Sequence, residues 1–451
     1  MDLLRRPALM DVVRVCSGNF IEMYDFMVFG YFAPDIAAAF FPARDRFASL
    51  MLSLATFGAG FLMRPLGAVV LGGYIDRIGR RRGLILTLLL MGIGTASLAL
   101  TPGYAEIGLA APILVVLGRL LQGFSAGVEL GGVSIYLYEI APERRRGLYV
   151  SWQSASQQLA VVFAAALGMA IHLALSAGEA QRWGWRIPLL VGCAILPLLL
   201  ILRRSLAESP VFAAQHPRPS TAALLASLAG AWARVLAGMM MVTMTTVTFY
   251  LCTAYTPTLG QREFGLSAVG VLMVTAMVGV SNFVWLPVMG ALSDRIGRRA
   301  GLLIFTGLGL VSCYPAMRWL TAAPSIERLA AVDLWLSFLF AGFNGSMLVY
   351  LAEFVPAKAR AAAFSLAYSL ATALFGGFTP AIATALIHAT HDKAMPGAWA
   401  SAAALLGLLG ALWAGWLTKP SPPAPSRPSG PGYAARSSLP RRSGSPEAGA
   451  G

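Results

Sequence analysis

The sequence predicts an all-α integral membrane protein with twelve transmembrane helices in two pseudo-symmetric six-helix halves. Three observations support this fold class: an apolar composition, twelve long apolar runs, and a charged turn that occurs twice. Of the 451 residues, 57% are hydrophobic and 12% are charged, and the mean hydropathy is +0.69. Soluble domains average about 25% charged residues, so this composition argues against a soluble protein of this length.

The apolar runs approach or exceed the length of about 20 residues that a helix needs to span a bilayer. In chain order they cover residues 14–40, 47–73, 84–101, 110–138, 148–175, 186–202, 235–258, 267–292, 301–320, 331–354, 362–388 and 398–417. The first run is not predicted to be a cleaved signal peptide, because it contains Glu22 and Asp25 and is too long.

Two polar segments set the predicted domain organisation. Residues 203–234 link the sixth and seventh runs, so residues 1–202 form the N-terminal half and residues 235–417 the C-terminal half. Residues 418–451 are rich in proline, serine and glycine, and we expect them to be a disordered cytoplasmic tail. The four cysteines are scattered in or beside the runs, and they predict neither a disulfide framework nor a metal site.

The basic residues predict the orientation of the chain. Most of the 34 lysines and arginines lie in the N-terminus, in the tail and in the loops that follow the even-numbered runs. The positive-inside rule then places both termini in the cytoplasm, in a multi-pass protein of the cytoplasmic (inner) membrane. The net charge of +14 therefore indicates topology in a lipid bilayer, and it does not indicate nucleic-acid binding, since no basic soluble domain is predicted.

A charged turn supports the division into halves. GGYIDRIGRRRG at 72–83 returns as GALSDRIGRRAG at 290–301, with eight of twelve positions identical, after the second and the eighth run. YEIAPERRRG at 138–147 likewise resembles AEFVPAKARA at 352–361. The near-equal offsets of 218 and 214 residues indicate duplicated six-helix halves. Transporters often have this build, with the substrate site near the membrane midplane where the repeats meet.

The acids and arginines of the repeated turn predict a gate. An acid where a helix leaves the membrane can accept hydrogen bonds from the N–H groups that begin a neighbouring helix, and arginines can fork onto carboxylates. Such contacts can form in one conformation and break in another. The alternative is that these residues only set topology and make tight turns. The predicted cytoplasmic gate comprises Asp76, Arg77, Gly79, Arg80, Arg81, Glu139, Asp294, Arg295, Gly297, Arg298 and Glu353.

The energy source is predicted to be a proton gradient. None of the three lysines lies in a phosphate-binding loop, so we expect no nucleotide and no other cofactor, and the chain is not predicted to be an enzyme. Ionisable residues inside a membrane are costly and usually functional. Asp25 is the first candidate for proton coupling and Glu22 the second. Glu129 is the third, and it is an equal candidate for the closing gate.

Two arginines inside the runs predict an anionic substrate group. The planar fork of arginine suits a carboxylate, and Arg64 and Arg119 are the two basic residues well inside the runs. The predicted substrate site comprises Arg119, Gln122, Arg64, Asn19, Gln153 and Gln157, with Tyr250, Tyr255, Asn282 and Asn344 as second-half candidates of lower rank. Arg64 could instead pair with Asp25 or Glu22. Two arginines beside three acids would also suit a zwitterion, so charge alone does not choose the substrate.

Several motifs resemble those of a known superfamily. The two copies of G-x-x-x-D-R-x-G-R-R, and RLLQGFSAG from Arg119 onwards, resemble signatures of the major facilitator superfamily. Five segments resemble its metabolite:proton symporters, with citrate and tricarballylate transporters nearest: GNFIEMYDF (18–26), GFLMRPLGAVVLGGYIDRIGRRRG (60–83), GRLLQGFSAGVELGGVSIYLYEIAPERRRG (118–147), SWQSASQQLA (151–160) and WGWRIPLL (183–190). The resemblance is weaker beyond residue 235, where Ala300 and Ala361 stand at the positions of Arg82 and Gly147.

The resemblance implies the major facilitator fold and a proton-coupled importer of a small organic acid such as citrate or tricarballylate. We expect the protein to function as a monomer. The importer would work by alternating access between the two halves. One alternative is a proton symporter of a dicarboxylate or of a betaine- or proline-like osmolyte. A second alternative is a transporter-like sensor, although a sensor usually carries a soluble signalling domain and the tail is short.

Overall fold

The computed structural model describes most of the chain. The described residues are 12, 16, 18–78, 80–127, 129–204, 221–355 and 360–418. Within these ranges, the side chains of residues 72–73, 75–78, 80–82, 84, 129, 199, 202–204 and 221–225 are outside the description. Most of the first charged turn and the tail from residue 419 onwards therefore remain predictions.

The described chain is helical almost throughout. The helices before residue 205 are α1 (Gly18–Tyr31), α2 (Ala33–Phe40), α3 (Arg46–Leu62), α4 (Arg64–Ile78), α5 (Arg80–Leu100), α6 (Ala110–Ala126), α7 (Glu129–Ile140), α8 (Arg146–Ala174) and α9 (Arg186–Arg204). Those after residue 220 are α10 (Thr221–Gly230), α11 (Trp232–Tyr250), α12 (Ala268–Ile296), α13 (Arg298–Ala322), α14 (Ile326–Phe354), α15 (Arg360–Ala371), α16 (Thr379–Thr390) and α17 (Met395–Leu417). Wider helical turns continue α11 to Glu263 and connect α15 towards α16.

The helices coincide with the predicted runs. Nine helical segments of the described chain are long and apolar enough to cross a membrane, and the third and sixth runs contain the shorter apolar helices Ile85–Leu100 and Arg186–Leu198. The first run is present as α1 and α2, with Pro34 in the first turn of α2. Proline lacks an N–H donor and crowds the residue before it, which explains the break. The all-α membrane fold is confirmed.

One helix lies where the sequence analysis predicted a linker. Residues 221–230 form α10, and α11 begins at Trp232, three residues before the predicted seventh run. The segment reads TAALLASLAG, and its alanines and leucines have high helix propensity. The remainder of the linker, residues 205–220, lies outside the described residues.

Glycines allow helices of the two halves to cross closely at the predicted cytoplasmic end. A Cβ atom added to Gly147 on α8 would lie 2.3 Å from the carbonyl oxygen of Gly290 on α12. A Cβ atom added to Gly290 would lie 2.5 Å from the carbonyl oxygen of Gly147. Helices in membranes gain stability from such close packing of small residues. The crossing holds the start of α8 against the end of α12, beside the second charged turn.

Further contacts join the halves elsewhere. Gly30 on α1 packs on Ala254, since a Cβ atom added at this glycine would lie 3.1 Å from the Cβ atom of Ala254. Gly58 on α3 packs on the ring of Phe378, and Gly377 packs on the ring of Phe61. These contacts bring α1 and α3 of the first half against helical segments of the second half, around the buried residues of the candidate site.

Candidate functional site

Four charged side chains are buried together in the first half. Glu22 and Asp25 on α1 are each 1% exposed, Arg64 at the start of α4 is 3% exposed, and Arg119 on α6 is 0% exposed. Burying a charge is costly unless it is paired and hydrogen-bonded. The partners of these four residues therefore determine what the cluster can do.

Arg64 pairs with Glu22. Its Nη2 donates to Glu22 Oε1 at 2.6 Å. The guanidinium carbon lies 5.0 Å from the ring centre of Phe26 and 4.6 Å from that of Phe61. Between the two pairings left open by the sequence, the structure shows the one with Glu22. This pair is neutral overall.

Arg119 is enclosed by aromatic rings and keeps donors unused. Its Nη1 donates to Gln122 Oε1 at 2.7 Å, and its guanidinium carbon lies 4.5 Å from the ring centres of both Phe26 and Phe29. Within the described part of the chain, its Nε and Nη2 have no hydrogen-bond partner. Leaving a buried donor unsatisfied costs about 1–3 kcal/mol, and more for a charged group. These N–H groups are therefore available to an anionic ligand.

Asp25 is connected to Arg119 through two intervening side chains. The Thr95 hydroxyl on α5 donates to Asp25 Oδ2, and Gln122 Nε2 donates to Thr95 Oγ1 at 3.0 Å. Asp25 Oδ1 has no hydrogen-bond partner among the described residues. Sequence analysis did not single out Thr95, because a threonine in an apolar run has no charge to draw attention to it.

A small cavity of about 10 Å³ lies where the halves meet. It is lined by Met23, Arg64, Leu130, Ser154, Gln157, Thr246, Phe249, Tyr250, Phe340 and Tyr368. Arg64 and Gln157 were predicted ligands, and Tyr250 was a candidate of lower rank. Arg119, Gln122 and Asp25 are not among the lining residues. Because both arginines contact the Phe26 ring, the Asp25–Arg119 group lies beside the cavity.

Three amide side chains extend the buried polar region. Asn19 Nδ2 donates to the Gln153 carbonyl oxygen at 3.3 Å, and Gln153 Oε1 accepts from the Ser154 hydroxyl at 2.7 Å. Gln157 lies one turn after Gln153 on α8. Asn19 Oδ1, Gln153 Nε2 and Gln157 Nε2 are buried without a hydrogen-bond partner among the described residues. The structure therefore leaves polar atoms of all three predicted residues free for a ligand.

The second charged turn makes the kind of contact that the sequence predicted. Asp294 accepts hydrogen bonds from the backbone N–H groups of Gly147 at 2.9 Å and Leu148 at 3.0 Å, in the first turn of α8. An acid at a helix N-terminus satisfies free N–H groups and complements the helix dipole. Because Asp294 belongs to the second half and α8 to the first, this contact joins the halves.

Other predicted gate residues lie around this contact. Arg298 donates to Asp294 at 2.7 Å and to Glu353 at 3.3 Å. Gly297 has a φ angle of +90°, which favours glycine, and it separates α12 from α13. Arg295 and Glu139 are exposed. In the first copy, Gly79 and the side chains of Asp76, Arg77, Arg80 and Arg81 lie outside the described residues, as does the side chain of Glu129.

Comparisons with known proteins identify the family of this chain. Residues 11–228 match the family described as Sugar (and other) transporter, and residues 273–444 match the Major Facilitator Superfamily. A citrate-proton symporter of Salmonella typhi is 57% identical over 396 residues, which are 88% of this chain and 91% of that protein. The chain belongs to the major facilitator superfamily. A proline/betaine transporter of Escherichia coli K12 is 33% identical over 86% of this chain and 80% of its own length.

The fold likeness extends to a solved major facilitator structure. The xylose transporter XylE from E. coli, in a partially occluded inward-open conformation, has a TM-score of 0.71 at 20% identity. The match covers 91% of this chain and 97% of that one. At this identity the likeness shows the fold alone.

The second half of this major facilitator protein contains a buried acid that the sequence analysis missed. Asp333 on α14 is 2% exposed and accepts a hydrogen bond from Thr256 Oγ1 at 2.7 Å. A carboxylate inside an apolar run is a signal that could have identified it. The repeat offset of 214 residues also places Asp333 at the position equivalent to Arg119.

The lower-ranked candidates of the second half have different surroundings. Asn282 Nδ2 donates to Gln158 Oε1 at 3.2 Å, and Asn282 Oδ1 accepts from the Ser337 hydroxyl at 2.8 Å. This amide therefore links three helices of the major facilitator fold. Asn344 is fully buried, and both of its amide atoms are without a hydrogen-bond partner in the described chain. Tyr255 accepts from the Thr384 hydroxyl at 3.1 Å.

Proposed function

We propose that this major facilitator protein is a proton-coupled symporter that imports citrate, or a similar tricarboxylate, by alternating access. The observation that carries the proposal is the high identity to a citrate-proton symporter over nearly the whole length of both chains. We further propose that the protein works as a monomer in the cytoplasmic membrane with both termini in the cytoplasm, as the distribution of basic residues predicts.

The charges of the buried cluster support coupling between a proton and a carboxylate. Glu22 and Arg64 neutralise each other at 2.6 Å, so the balance depends on Asp25 and Arg119. With Asp25 ionised, the four groups have no net charge. Protonation of Asp25 leaves the charge of Arg119 uncompensated, and an anion is then attracted to its free N–H groups. A proton and a substrate carboxylate would therefore bind most favourably together.

The contacts between the halves support alternating access. Asp294 of the second half binds the start of α8 of the first half, at the predicted cytoplasmic end of both helices. The close crossing of Gly147 and Gly290 lies beside this contact. A contact of this kind is able to form in one state and break in the other, because packed interfaces have discrete arrangements. We assign Asp294 and Arg298 to a cytoplasmic gate, and we propose the same role for Asp76 in the first copy of the turn.

A second candidate function is proton symport of a zwitterionic osmolyte or a dicarboxylate. The identity to a proline/betaine transporter over most of the chain favours it. The buried cluster is compatible with a zwitterion as well, since it contains two acids and two arginines among the described side chains. The two functions differ in the number of substrate carboxylates, and therefore in which compound is accumulated.

Uptake into proteoliposomes distinguishes these functions. Purified protein is reconstituted, and accumulation of radiolabelled citrate, tricarballylate and betaine is measured with and without an inward proton gradient. We expect accumulation of citrate or tricarballylate only with the gradient, and none in protein-free liposomes. Accumulation of betaine alone would favour the second function. Equilibration of citrate without any response to the gradient would contradict proton coupling.

A further inference from the structure

The hydrogen bonds around Thr95 offer its single hydroxyl proton two acceptors. Thr95 Oγ1 lies within hydrogen-bond distance of Asp25 Oδ2 and also 3.0 Å from the carbonyl oxygen of Met91, one turn earlier on α5. A hydroxyl group has one proton to donate and two lone pairs that accept. Thr95 therefore donates to one of these oxygens at a time. The charge on Asp25 decides which.

The third partner of Thr95 has a fixed orientation. Arginine has only donors, so the amide oxygen of Gln122 must face Arg119 Nη1, and its Nε2 must face Thr95 Oγ1. One lone pair of Thr95 is therefore always occupied by Gln122. The remaining lone pair and the single proton are left to respond to Asp25.

We propose that Thr95 is a positioning residue that holds the Asp25 carboxyl group, and keeps Gln122 on Arg119, in both protonation states of Asp25. When Asp25 is ionised, Thr95 donates its proton to the carboxylate. When Asp25 takes up a proton, the carboxylic acid donates to Thr95 Oγ1, and the Thr95 hydroxyl turns to donate to the Met91 carbonyl. Every bond in the chain stays satisfied in both states, and Gln122 keeps holding Arg119.

The space beside Asp25 fits this role. A Cβ atom added to Gly192 on α9 would lie 3.0 Å from Asp25 Oδ1, so glycine at this position leaves the second oxygen uncovered. Within the described chain, that oxygen has no hydrogen-bond partner. In the protonated state the proton that Asp25 donates to Thr95 is carried on Oδ2, and Oδ1 remains as the carbonyl oxygen of the acid.

Few ionisable groups act on Asp25 among the described residues. Those that interact with its charge are Tyr24 on α1, Cys193 on α9 and Arg119 on α6. The Glu22–Arg64 pair has no net charge. The charge of Arg64 acts on Arg119, which in turn interacts with Asp25. Tyr24 and Cys193 are neutral near physiological pH. Arg119 and the Thr95 hydroxyl are thus the groups that favour the ionised form of Asp25.

The experiment compares Thr95→Val, which has the same shape without the hydroxyl, with Thr95→Ser, which retains it. This proposal rests on the proposed citrate symport, so proteoliposomes with the wild-type protein are first tested for citrate uptake. Initial rates of citrate uptake are then measured at external pH 5 to 8, with the internal pH held constant. Removing the donor to the carboxylate should move the half-maximal pH of Thr95→Val upwards by about one unit, as expected for one hydrogen bond to a charged group. Thr95→Ser should keep the wild-type midpoint.

The matched control is Thr275→Val on α12. Thr275 is fully buried, and its hydroxyl donates to the carbonyl oxygen four residues earlier at 3.1 Å, as Thr95 can do with Met91. We expect no shift in this variant. An unshifted Thr95→Val midpoint would overturn the proposal, and so would an equal shift in Thr95→Ser or Thr275→Val. If Thr95→Val does not insert, Thr95→Ala replaces it.

A second measurement does not depend on the substrate. The infrared band of the Asp25 carboxylic acid, identified by its loss in Asp25→Asn, is titrated in wild type and in Thr95→Val. The band should persist to higher pH in Thr95→Val. If wild type fails to transport citrate and this shift is present, the proposed function fails and the role of Thr95 stands. An unchanged titration would overturn the role of Thr95 alone.

Discussion

Replacing Asp294 with asparagine should open the contact between α8 and α12. The carboxylate accepts from two backbone N–H groups, at 2.9 and 3.0 Å, and pairs with Arg298 at 2.7 Å. Asparagine retains one acceptor oxygen, so one backbone bond and the ion pair are lost. A hydrogen bond to a charged group contributes about 1.5–3 kcal/mol, and a partly exposed ion pair adds at most about 1 kcal/mol.

We therefore expect the state in which Asp294 contacts α8, the closed state, to be destabilised by about 2–3 kcal/mol. This is less than the two contributions added together, because the surrounding groups relax. Each 1.4 kcal/mol is a factor of ten, so the equilibrium should shift towards the open state about 30- to 150-fold. Ser154 lines the cavity and provides a reporter when it is replaced by cysteine. The assay is the rate at which a membrane-impermeant maleimide alkylates Ser154→Cys from the predicted cytoplasmic side. The background is a variant without the four native cysteines, which are free.

The matched control is Asp45→Asn. Asp45 also accepts from a backbone N–H group at a helix start, that of Phe47 at 2.9 Å, but this contact lies within one half. The alkylation rate should rise with Asp294→Asn and stay at the background level with Asp45→Asn. Equal rates for Asp294→Asn and the parent would refute the gate assignment, provided that both proteins insert to the same level.

Three further changes test other parts of the molecule. Arg119→Lys keeps the charge but loses the planar fork, so the binding free energy of citrate, measured by calorimetry, should weaken by about 1–3 kcal/mol. Wild-type citrate affinity in Arg119→Ala would show that this arginine only packs. Gly147→Ala places a methyl group 2.3 Å from the Gly290 carbonyl oxygen, so the melting temperature in detergent should fall, whereas Gly132→Ala, which meets nothing within 4 Å, should leave it unchanged. Asp76→Asn should reduce transport per inserted molecule more than it reduces abundance, and normal transport would exclude a gate role for Asp76.

Hydropathy was sufficient to predict the helices, because each span must be apolar over a fixed length. The break at Pro34 and helix α10 were not predicted, since they depend on a single proline and on local propensity within a polar segment. The Asp294 contact was predicted in kind, because an acid at the end of one helix is suited to the start of another.

The site could be predicted only in part. Charges inside apolar runs identified Asp25, Arg64 and Arg119, because each is costly in a membrane and therefore conspicuous. The contact of Thr95 with Asp25 and the position of Tyr368 in the cavity wall could not be predicted, since neutral side chains gain importance only from the neighbours that folding brings to them. The separation of Arg119 from the cavity likewise depends on how helices pack, which the spacing of residues does not encode.

Asp25→Asn tests the central claim most directly. The amide imitates a permanently protonated acid, so binding and exchange should continue while coupling to the gradient is lost. Proteoliposomes containing Asp25→Asn, with Asp35→Asn as a control acid from the same predicted run, are assayed for citrate counterflow and for gradient-driven accumulation. The account predicts that Asp25→Asn retains counterflow and accumulates no citrate, while Asp35→Asn does both. Accumulation of citrate by Asp25→Asn in response to an imposed proton gradient would contradict it and direct attention to Glu22 and Glu129.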